Sequence, residues 1–314
     1  MKRLRFAIIA VAVLGLFGAP AEAVAADLPA ATIEALFAPE RDLADVKLSV
    51  DHMIDASVNA EAGIAMIDRM AGEVKSMLPE NAGGAESLAA LRRYLYEAGE
   101  WNRSLAFSYD QSDPLGTNPV NRKLSRYLET RRGNCITMPM LMLFIGKRLG
   151  MNMTLAQAPL HLFIKYTDDD GKTWNLEATS GGGFTRDIWY RQKLPMSDEA
   201  VANGVYLRSL SHDEAVAVIG STLVERALEM GNYENAIAIS NVLLKHYPKF
   251  AYLLAKTGSA YGGLLHRELA GKYTRMEDIP ADLKGKADEW YRLNGEAFAK
   301  AEALGWRPDD GQVQ

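Results

Sequence analysis

Cysteine is almost absent from this sequence, since Cys135 is the one cysteine among 314 residues. A single thiol forms no intramolecular disulfide, and it excludes zinc sites built from several cysteines. A chain of this length buries a sizeable core without such cross-links. The lone thiol therefore needs one of two explanations, which are burial among apolar side chains or chemistry at a functional site.

Dense blocks of positive charge are also missing beyond the first few residues. The chain has 35 Lys and Arg against 40 Asp and Glu, which gives a formal net charge of -5. Nucleic acid is therefore not expected as a partner, because its phosphates are held mainly by clustered basic side chains.

Signatures of metal and cofactor binding are lacking as well. No two of the five histidines approach the spacing of a zinc-binding pair. Gly171, Lys172 and Thr173 imitate the end of a phosphate-binding loop, but Tyr166 stands where the first glycine of that loop belongs. The sequence has no dinucleotide-binding glycine fingerprint. We therefore expect no metal and no cofactor.

A hydrophobic run of membrane-spanning length is missing too. The longest apolar run near the start, 6–17, is shorter than the roughly 20 residues that a membrane helix needs. It follows Lys2, Arg3 and Arg5 and precedes alanine-rich sequence. This pattern predicts a signal peptide at 1–25 and an exported protein, periplasmic or secreted, without stable membrane insertion after cleavage. An uncleaved anchor is the alternative.

The middle of the chain changes from a helical to a strand-like pattern. Residues 26–84 predict a helical lead-in that starts with a loose leader at 27–41, because apolar residues recur at helical spacing after it. Residues 85–205 predict a core domain of mixed helix and strand. A cluster of Ser, Asp, Gly, Asn and Pro predicts a long surface loop at 106–122.

Within this predicted core, 136–149 is apolar on every side and predicts a buried central helix. The strand-like composition that follows predicts an antiparallel hairpin with a turn at 167–172. A glycine-rich exit loop is expected at 180–183. The predicted strands are 153–156, 160–166 and 173–179.

The last part of the chain, 206–314, predicts an α-helical tail. Small residues at Ala227, Gly231 and Ala236 and the proline at Pro248 have the spacing of a tetratricopeptide-like repeat unit. An ordinary bundle of helical hairpins is the alternative. Stacked helix pairs offer a surface on which a protein partner could bind.

Cys135 has the surroundings that a thiol nucleophile requires. It follows Gly133 and Asn134 and precedes the apolar helix, whose N-terminus favours a thiolate. Such a nucleophile also needs a base and a third group that orients the base. His161 begins a predicted strand, and Glu177 lies on its partner. A small buried hydrophobe is the other reading of Cys135.

The hairpin register predicts how these side chains meet. A turn centred on Asp169 would place His161 directly opposite Glu177, with both side chains on one face. Asn175 lies two residues from Glu177 and would share that face.

Three segments carry a resemblance to a known family. "RYLETRRGNCITMPMLMLFIGKRLG", "APLHLFIKY" and "WNLEATSGG" resemble the transglutaminase-like superfamily, and within it the bacterial cysteine-peptidase-like branch. The resemblance implies an α+β fold with an antiparallel sheet and a buried central helix. It implies Cys135 as nucleophile, His161 as base and Glu177 as the acid, where the family usually has Asp. Asn175 and Asn134 are further candidates for orienting the base or stabilising an oxyanion.

Two functions follow from these residues. The first is an exported cysteine-dependent enzyme that transfers acyl groups from the amide bonds of a peptide or protein substrate. Water as acceptor makes it a peptidase or amidase and an amine makes it a transglutaminase, and the sequence does not choose between them. The alternative is a catalytically inactive scaffold whose tail binds a protein or peptide partner.

Overall fold

The computed structural model describes residues 27–273 and 275–308, so the predicted signal peptide at 1–25 lies outside the described residues. The helices are α1 (Ala30–Glu34), α2 (Leu43–Ile54), α3 (Ala60–Ser76), α4 (Gly84–Tyr96), α5 (Leu124–Thr130), α6 (Thr137–Arg148), α7 (Asp187–Lys193), α8 (Asp198–Ala202), α9 (His212–Glu229), α10 (Tyr233–His246), α11 (Ala251–Leu269) and α12 (Ala281–Ala303). The strands are β1 (Ser108–Tyr109), β2 (Arg132–Gly133), β3 (Met153–Ala158), β4 (His161–Thr167), β5 (Thr173–Glu177) and β6 (Gly183–Thr185). The predicted α+β class is confirmed.

Helix α6 is the buried central helix that the sequence predicts. Every residue from its start to Gly146 is buried, because Met, Leu, Phe and Ile occupy all sides of the helix. Gly146 lets β3 approach closely, since a Cβ there would lie 2.4 Å from the sulfur of Met153. The site residues near the start of α6 are therefore anchored to the most enclosed element of the core.

The larger sheet has the antiparallel order β3-β4-β5-β6. Its β4–β5 register pairs Lys165 with Asn175, which centres the turn on Asp170. The predicted centre at Asp169 is therefore wrong. The side chain of Asp168 fixes this turn by accepting hydrogen bonds from the backbone N–H groups of Asp170 and Lys172 at 3.1 and 2.8 Å.

The corrected register still leaves the predicted pair on one face. His161 and Glu177 are no longer directly opposite but diagonal, and a shift of two positions in pairing does not change the face to which a side chain points. Diagonal neighbours lie within reach when the side chains are long.

The predicted glycine-rich exit loop leads into a fourth strand that the sequence pattern did not predict. Gly181 and Gly182 have φ of 73° and 66°, so they turn the chain back beside β5, where Gly183 pairs with Glu177. A Cβ at Gly182 would lie 2.8 Å from the end of Met142, which explains glycine there.

The predicted helical tail is confirmed. Helices α9–α12 fill it, and 213–305 contains no strand within the residues that the structure describes. Gly258 in α11 allows close packing on α12, because a Cβ there would lie 2.7 Å from the ring of Phe298. The tetratricopeptide-like assignment of these helices stays a prediction.

The prediction of a loose leader at 27–41 is wrong. This segment contains α1 and a 3-10 turn, and Ile33 and Leu36 are fully buried because they lie three residues apart on one helical face. Glu34 bonds to His246 of α10 at 2.8 Å. Lead-in, core and tail share one continuous hydrophobic core, and the predicted boundaries at 84 and 205 stay predictions.

Candidate active site

Asn134 builds the turn on which Cys135 sits. Its Oδ1 accepts the backbone N–H groups of Ile136 and Thr137 at 3.0 and 3.1 Å, and its own N–H donates to Thr137 Oγ1 at 3.2 Å. Its Nδ2 donates to Asn121 O at 2.9 Å. The Asn134 side chain thus caps α6 and holds the preceding loop, and the first helical bond, from Met138 N–H to Asn134 O, spans Cys135.

Two backbone carbonyls cover Cys135. Its N–H donates to Pro114 O at 3.2 Å, and its Sγ lies 3.4 Å from Leu160 O. Leu160 has φ of 51°, a left-handed conformation that is strained for leucine. Cys135 has an exposed fraction of 0 %. We call residues 110–122, which supply the Pro114 carbonyl, the covering loop.

Burial decides the protonation of this thiol. Removal from water, with a further contribution from the charge of Glu177, raises the pKa of Cys135 to about 12. The sequence-based expectation of a lowered pKa is therefore wrong for this conformation. The helix N-terminus still favours a thiolate, but complete burial outweighs it.

His161 and Glu177 form the predicted base-and-acid pair. His161 Nε2 lies 2.8 Å from Glu177 Oε2, and the His161 side chain keeps 11 % of its surface exposed. A carboxylate only accepts hydrogen bonds, so the proton lies on Nε2 and Nδ1 is left as the basic nitrogen. This is the tautomer that a thiol base requires.

Glu177 is held by more than the imidazole. Its Oε2 also accepts Tyr190 Oη–H at 2.9 Å, and its Oε1 accepts the N–H and Oγ1–H of Thr179 at 3.0 and 2.6 Å. Burial alone would raise the pKa of Glu177, but the bonds from His161, Thr179 and Tyr190 outweigh it and lower that pKa. The buried acid is therefore a carboxylate.

The Cys135 thiol contacts the residue before His161 and not His161 itself. Within residues 27–273 and 275–308, no hydrogen bond joins Cys135 to His161. The thiol bonds instead to the carbonyl of Leu160, the residue immediately before His161. The covering loop and this bond describe a closed arrangement of the site.

Asn175 shares the face of Glu177 but has another partner. Its Nδ2 donates to Asp187 Oδ1 at 2.7 Å, and Lys165 Nζ lies 3.3 Å from the same oxygen. Of the two candidates for the third site residue, the structure brings Glu177 to the imidazole.

Two partners of Glu177 were not found by sequence reasoning. Thr179 had a local signal, since Glu177 caps the 3-10 turn Ala178–Ser180 in "EAT". Tyr190 had no local sequence signal, because only the tertiary fold brings α7 next to Glu177. The ring of Tyr190 lies 5.8 Å from that of His161, and burial and the charge of Glu177 raise the pKa of its hydroxyl.

Among the residues that the structure describes, no group of three His, Cys, Asp or Glu side chains is arranged to hold a metal ion. Over the same residues, no helix combines the length and apolarity needed to cross a bilayer.

The chain is similar to three curated proteins at low identity. It is 25 % identical over 144 residues to a UPF0162 protein of Buchnera aphidicola, covering 45 % of this chain and 53 % of that protein. The chain therefore spans about half the length of this relative. It is 23 % identical over 196 residues to UPF0162 protein YchA of Escherichia coli, covering 61 % and 67 %. It is 22 % identical over 258 residues to protein SirB1 of Salmonella typhimurium, covering 77 % and 92 %.

A family sequence profile shows the family of this chain. The sequence profile of the transglutaminase-like superfamily matches residues 61–217, a range that begins before and ends after the predicted core. It contains α6, the four-stranded sheet and all three predicted site residues. The chain belongs to the transglutaminase-like superfamily.

Proposed function

We propose that this protein is an exported cysteine-dependent enzyme that transfers acyl groups from amide bonds. The observation that supports this most strongly is the 2.8 Å bond between His161 Nε2 and Glu177 Oε2. This bond leaves Nδ1 of His161 as the basic nitrogen. His161 is the first residue of β4, and the carbonyl oxygen of Leu160, immediately before it, accepts a hydrogen bond from the thiol of Cys135. Base, orienting acid and nucleophile thus lie at one corner of the fold.

The proposed reaction has two stages. The proton of the Cys135 thiol passes to His161 Nδ1 as Sγ bonds to the amide carbon and the carbonyl electron pair moves to oxygen. The tetrahedral species collapses, the C–N bond breaks, and the amine leaves with the proton from His161. Water or a second amine then attacks the thioester, loses its proton to His161, and Sγ regains a proton as it leaves.

Substrate must displace the covering loop before this can happen. A developing oxyanion needs a backbone N–H donor, and the N–H of Cys135 is now bonded to Pro114 O at 3.2 Å. A substrate carbonyl in place of the Pro114 carbonyl would receive that bond. The same movement would expose the thiol and end the burial that raises its pKa.

Asp113 holds the covering loop in its closed form. Its carboxylate accepts bonds from Thr117 N and Oγ1 at 2.6 and 2.7 Å, from Asn118 N at 3.1 Å and from Asn121 Nδ2 at 2.8 Å. Burial would raise the pKa of Asp113, but these bonds outweigh it and lower that pKa.

Arg122 connects the covering loop to the tail. Its guanidinium donates to Gly116 O within the loop and to Glu225 of α9, and it lies 3.6 Å from Glu229. The tail is therefore placed to stabilise the closed site, a role that a protein partner of the tail could change.

Product analysis with full-length protein tests the proposal. A mixture of unstructured peptides with a biotinylated primary amine would be followed by mass spectrometry, since hydrolysis and amine transfer give different product masses. We expect activity that is lost in Cys135→Ser and in His161→Gln and kept in His266→Gln, an exposed control histidine. Equal product in wild type and Cys135→Ser would contradict the proposal.

The inactive scaffold is the second candidate, and one observation favours it. The thiol has no exposed surface and bonds to a backbone carbonyl rather than to His161. If the site never opens, the thiol reacts with alkylating reagents only after unfolding. A native protein whose thiol reacts before its helices unfold argues for the enzyme.

A further inference from the structure

A cleft of about 370 Å³ lies apart from the Cys-His-Glu residues, none of which lines it. Its walls come from α3, the end of α4, the 3-10 turn Glu100–Asn102 and α5. This volume is at the lower end of small-ligand pockets, which run from about 300 to 1,000 Å³. Its apolar lining is Met66, Met70, Met77, Trp101, Phe107 and Leu128.

Three guanidinium groups line the same cleft. Arg131 is fixed, because it donates to Leu105 O and lies 4.8 Å from the centre of the Phe107 ring. Arg69 and Arg103 are exposed, and the guanidinium of neither makes a hydrogen bond or ion pair with any residue that the structure describes. Two positive charges at one cleft are therefore available to a ligand.

The backbone that carries Arg103 is strained. Arg103 and Ser104 both have φ of 59°, a conformation that residues other than glycine rarely adopt twice in succession. Bonds from Ser104 N to Gly99 O at 2.7 Å and from Asn102 Nδ2 to Tyr94 O at 2.7 Å hold this turn. Such strain persists where the surrounding structure fixes it, which is typical of binding loops.

The charges of the cleft match a ligand with a single negative charge. Three arginines face two acids, Glu73 and Glu100, so the lining carries a net charge of +1 in a chain whose formal net charge is -5. Glu73 already accepts the Tyr94 hydroxyl. A monoanion would neutralise this +1 charge, whereas a dianion such as phosphate would leave the cleft with an excess of negative charge.

We propose that this cleft binds the C-terminal end of a peptide whose last residues are apolar. Arg69 and Arg103 hold the terminal carboxylate, because guanidinium groups match carboxylates in geometry. The terminal side chain packs among the methionines and Trp101, since flexible thioether side chains adapt to apolar groups of different shape. Binding here requires no chemistry at Cys135, so the proposal does not depend on the proposed function.

Calorimetry with the full-length Cys135→Ala protein tests this, because that variant allows no turnover. The probes are N-acetyl-Leu-Phe with a free carboxylate and the same dipeptide as its C-terminal amide. We expect the acid to bind about tenfold more tightly than the amide. The double variant Arg69→Gln/Arg103→Gln should lose that preference, while Arg126→Gln, an exposed α5 arginine outside the cleft, should keep it.

Three results would overturn the proposal. They are equal affinities for acid and amide, no binding of either at concentrations up to about 10 mM, and displacement of the acid by lower concentrations of inorganic phosphate. Each single arginine variant is measured beside the double variant, and thermal unfolding checks that all of them are folded.

Discussion

At the scale of single residues, burial controls the chemistry of Cys135. Burial accounts for most of the rise in the pKa of Cys135 to about 12, and a rise of this size favours the neutral thiol by roughly 4–5 kcal/mol. The helix N-terminus favours the thiolate by only about 0.3–1 kcal/mol. We propose that the thiol becomes a nucleophile only when the covering loop moves and water or substrate reaches the sulfur.

Tyr190 should matter for stability as well as for the position of Glu177. Tyr190→Phe removes one donor from a buried carboxylate and should lower the free energy of unfolding by about 1–3 kcal/mol. Urea unfolding followed by circular dichroism measures this change. Tyr127→Phe is the matched control, because the buried Tyr127 hydroxyl has no hydrogen-bond partner among the described residues. An equal loss in both variants would refute a specific role for the Tyr190 hydroxyl.

Glu177 should make stability depend on pH in the acid range. Its pKa is lower in the folded than in the unfolded protein, so its contribution is full above the unfolded value of 4.5 and is lost as pH falls through the folded value. Wild type should lose stability over this range more steeply than Glu177→Gln. Urea midpoints at successive pH values measure the two slopes, and parallel slopes would show that Glu177 makes no such contribution.

At the scale of elements, we propose that the covering loop controls access to Cys135. Asp113→Ala removes the acceptor of four hydrogen bonds within the loop. A shift of about 2 kcal/mol toward the open loop would raise the alkylation rate of native Cys135 about thirtyfold. Mass spectrometry after timed exposure to iodoacetamide measures this rate.

Asp110→Ala is the control for that experiment, because among the residues that the structure describes the Asp110 carboxylate bonds only to Ser112 within the same loop. It should leave the rate close to that of wild type. A rate in Asp113→Ala that does not exceed the control would mean that the loop does not limit access to the thiol.

The sequence predicts the elements better than their contacts. An unbroken apolar composition identifies α6, apolar periodicity identifies the tail helices, and strand-like composition identifies β3–β5. The position of the turn depends on the side chain of Asp168, which accepts hydrogen bonds from the turn backbone. The strand register therefore differs from the predicted one, and His161 and Glu177 are diagonal neighbours.

No sequence pattern predicts the closed state of the site. It depends on Pro114, which meets Cys135 only when a loop predicted to lie on the surface folds over the start of α6. Tyr190 likewise reaches Glu177 through the packing of α7 on the sheet. Contacts between distant segments decide both features, and local periodicity carries no information about them.

At the scale of the whole molecule, side-chain contacts connect the helical tail to the covering loop of the site. Arg122 of the covering loop pairs with Glu225 of α9, whose carboxylate also accepts the hydroxyl of Tyr252 in α11 at 2.7 Å. A partner that changes the packing of these helices would act on the covering loop through Arg122. We expect such a partner to change the rate at which Cys135 reacts.

Export is a prediction at the same scale. The positive start and short apolar run at 6–17 predict cleavage that leaves a mature protein beginning near Val24 or Ala26. N-terminal sequencing of protein recovered from the periplasm or medium would measure this. Recovery of the chain with Met1 intact in the cytoplasm would refute it.

We propose that Cys135 is a nucleophile served by His161 and Glu177 once the covering loop is open. The most direct test is the pH profile of Cys135 alkylation in Asp113→Ala, compared with the double variant Asp113→Ala/His161→Gln. A thiolate paired with an imidazolium should react well below pH 8, and the double variant should lose that reactivity. A profile that rises only near the pKa of a free thiol, about 8.5, and is the same in both variants would contradict the account.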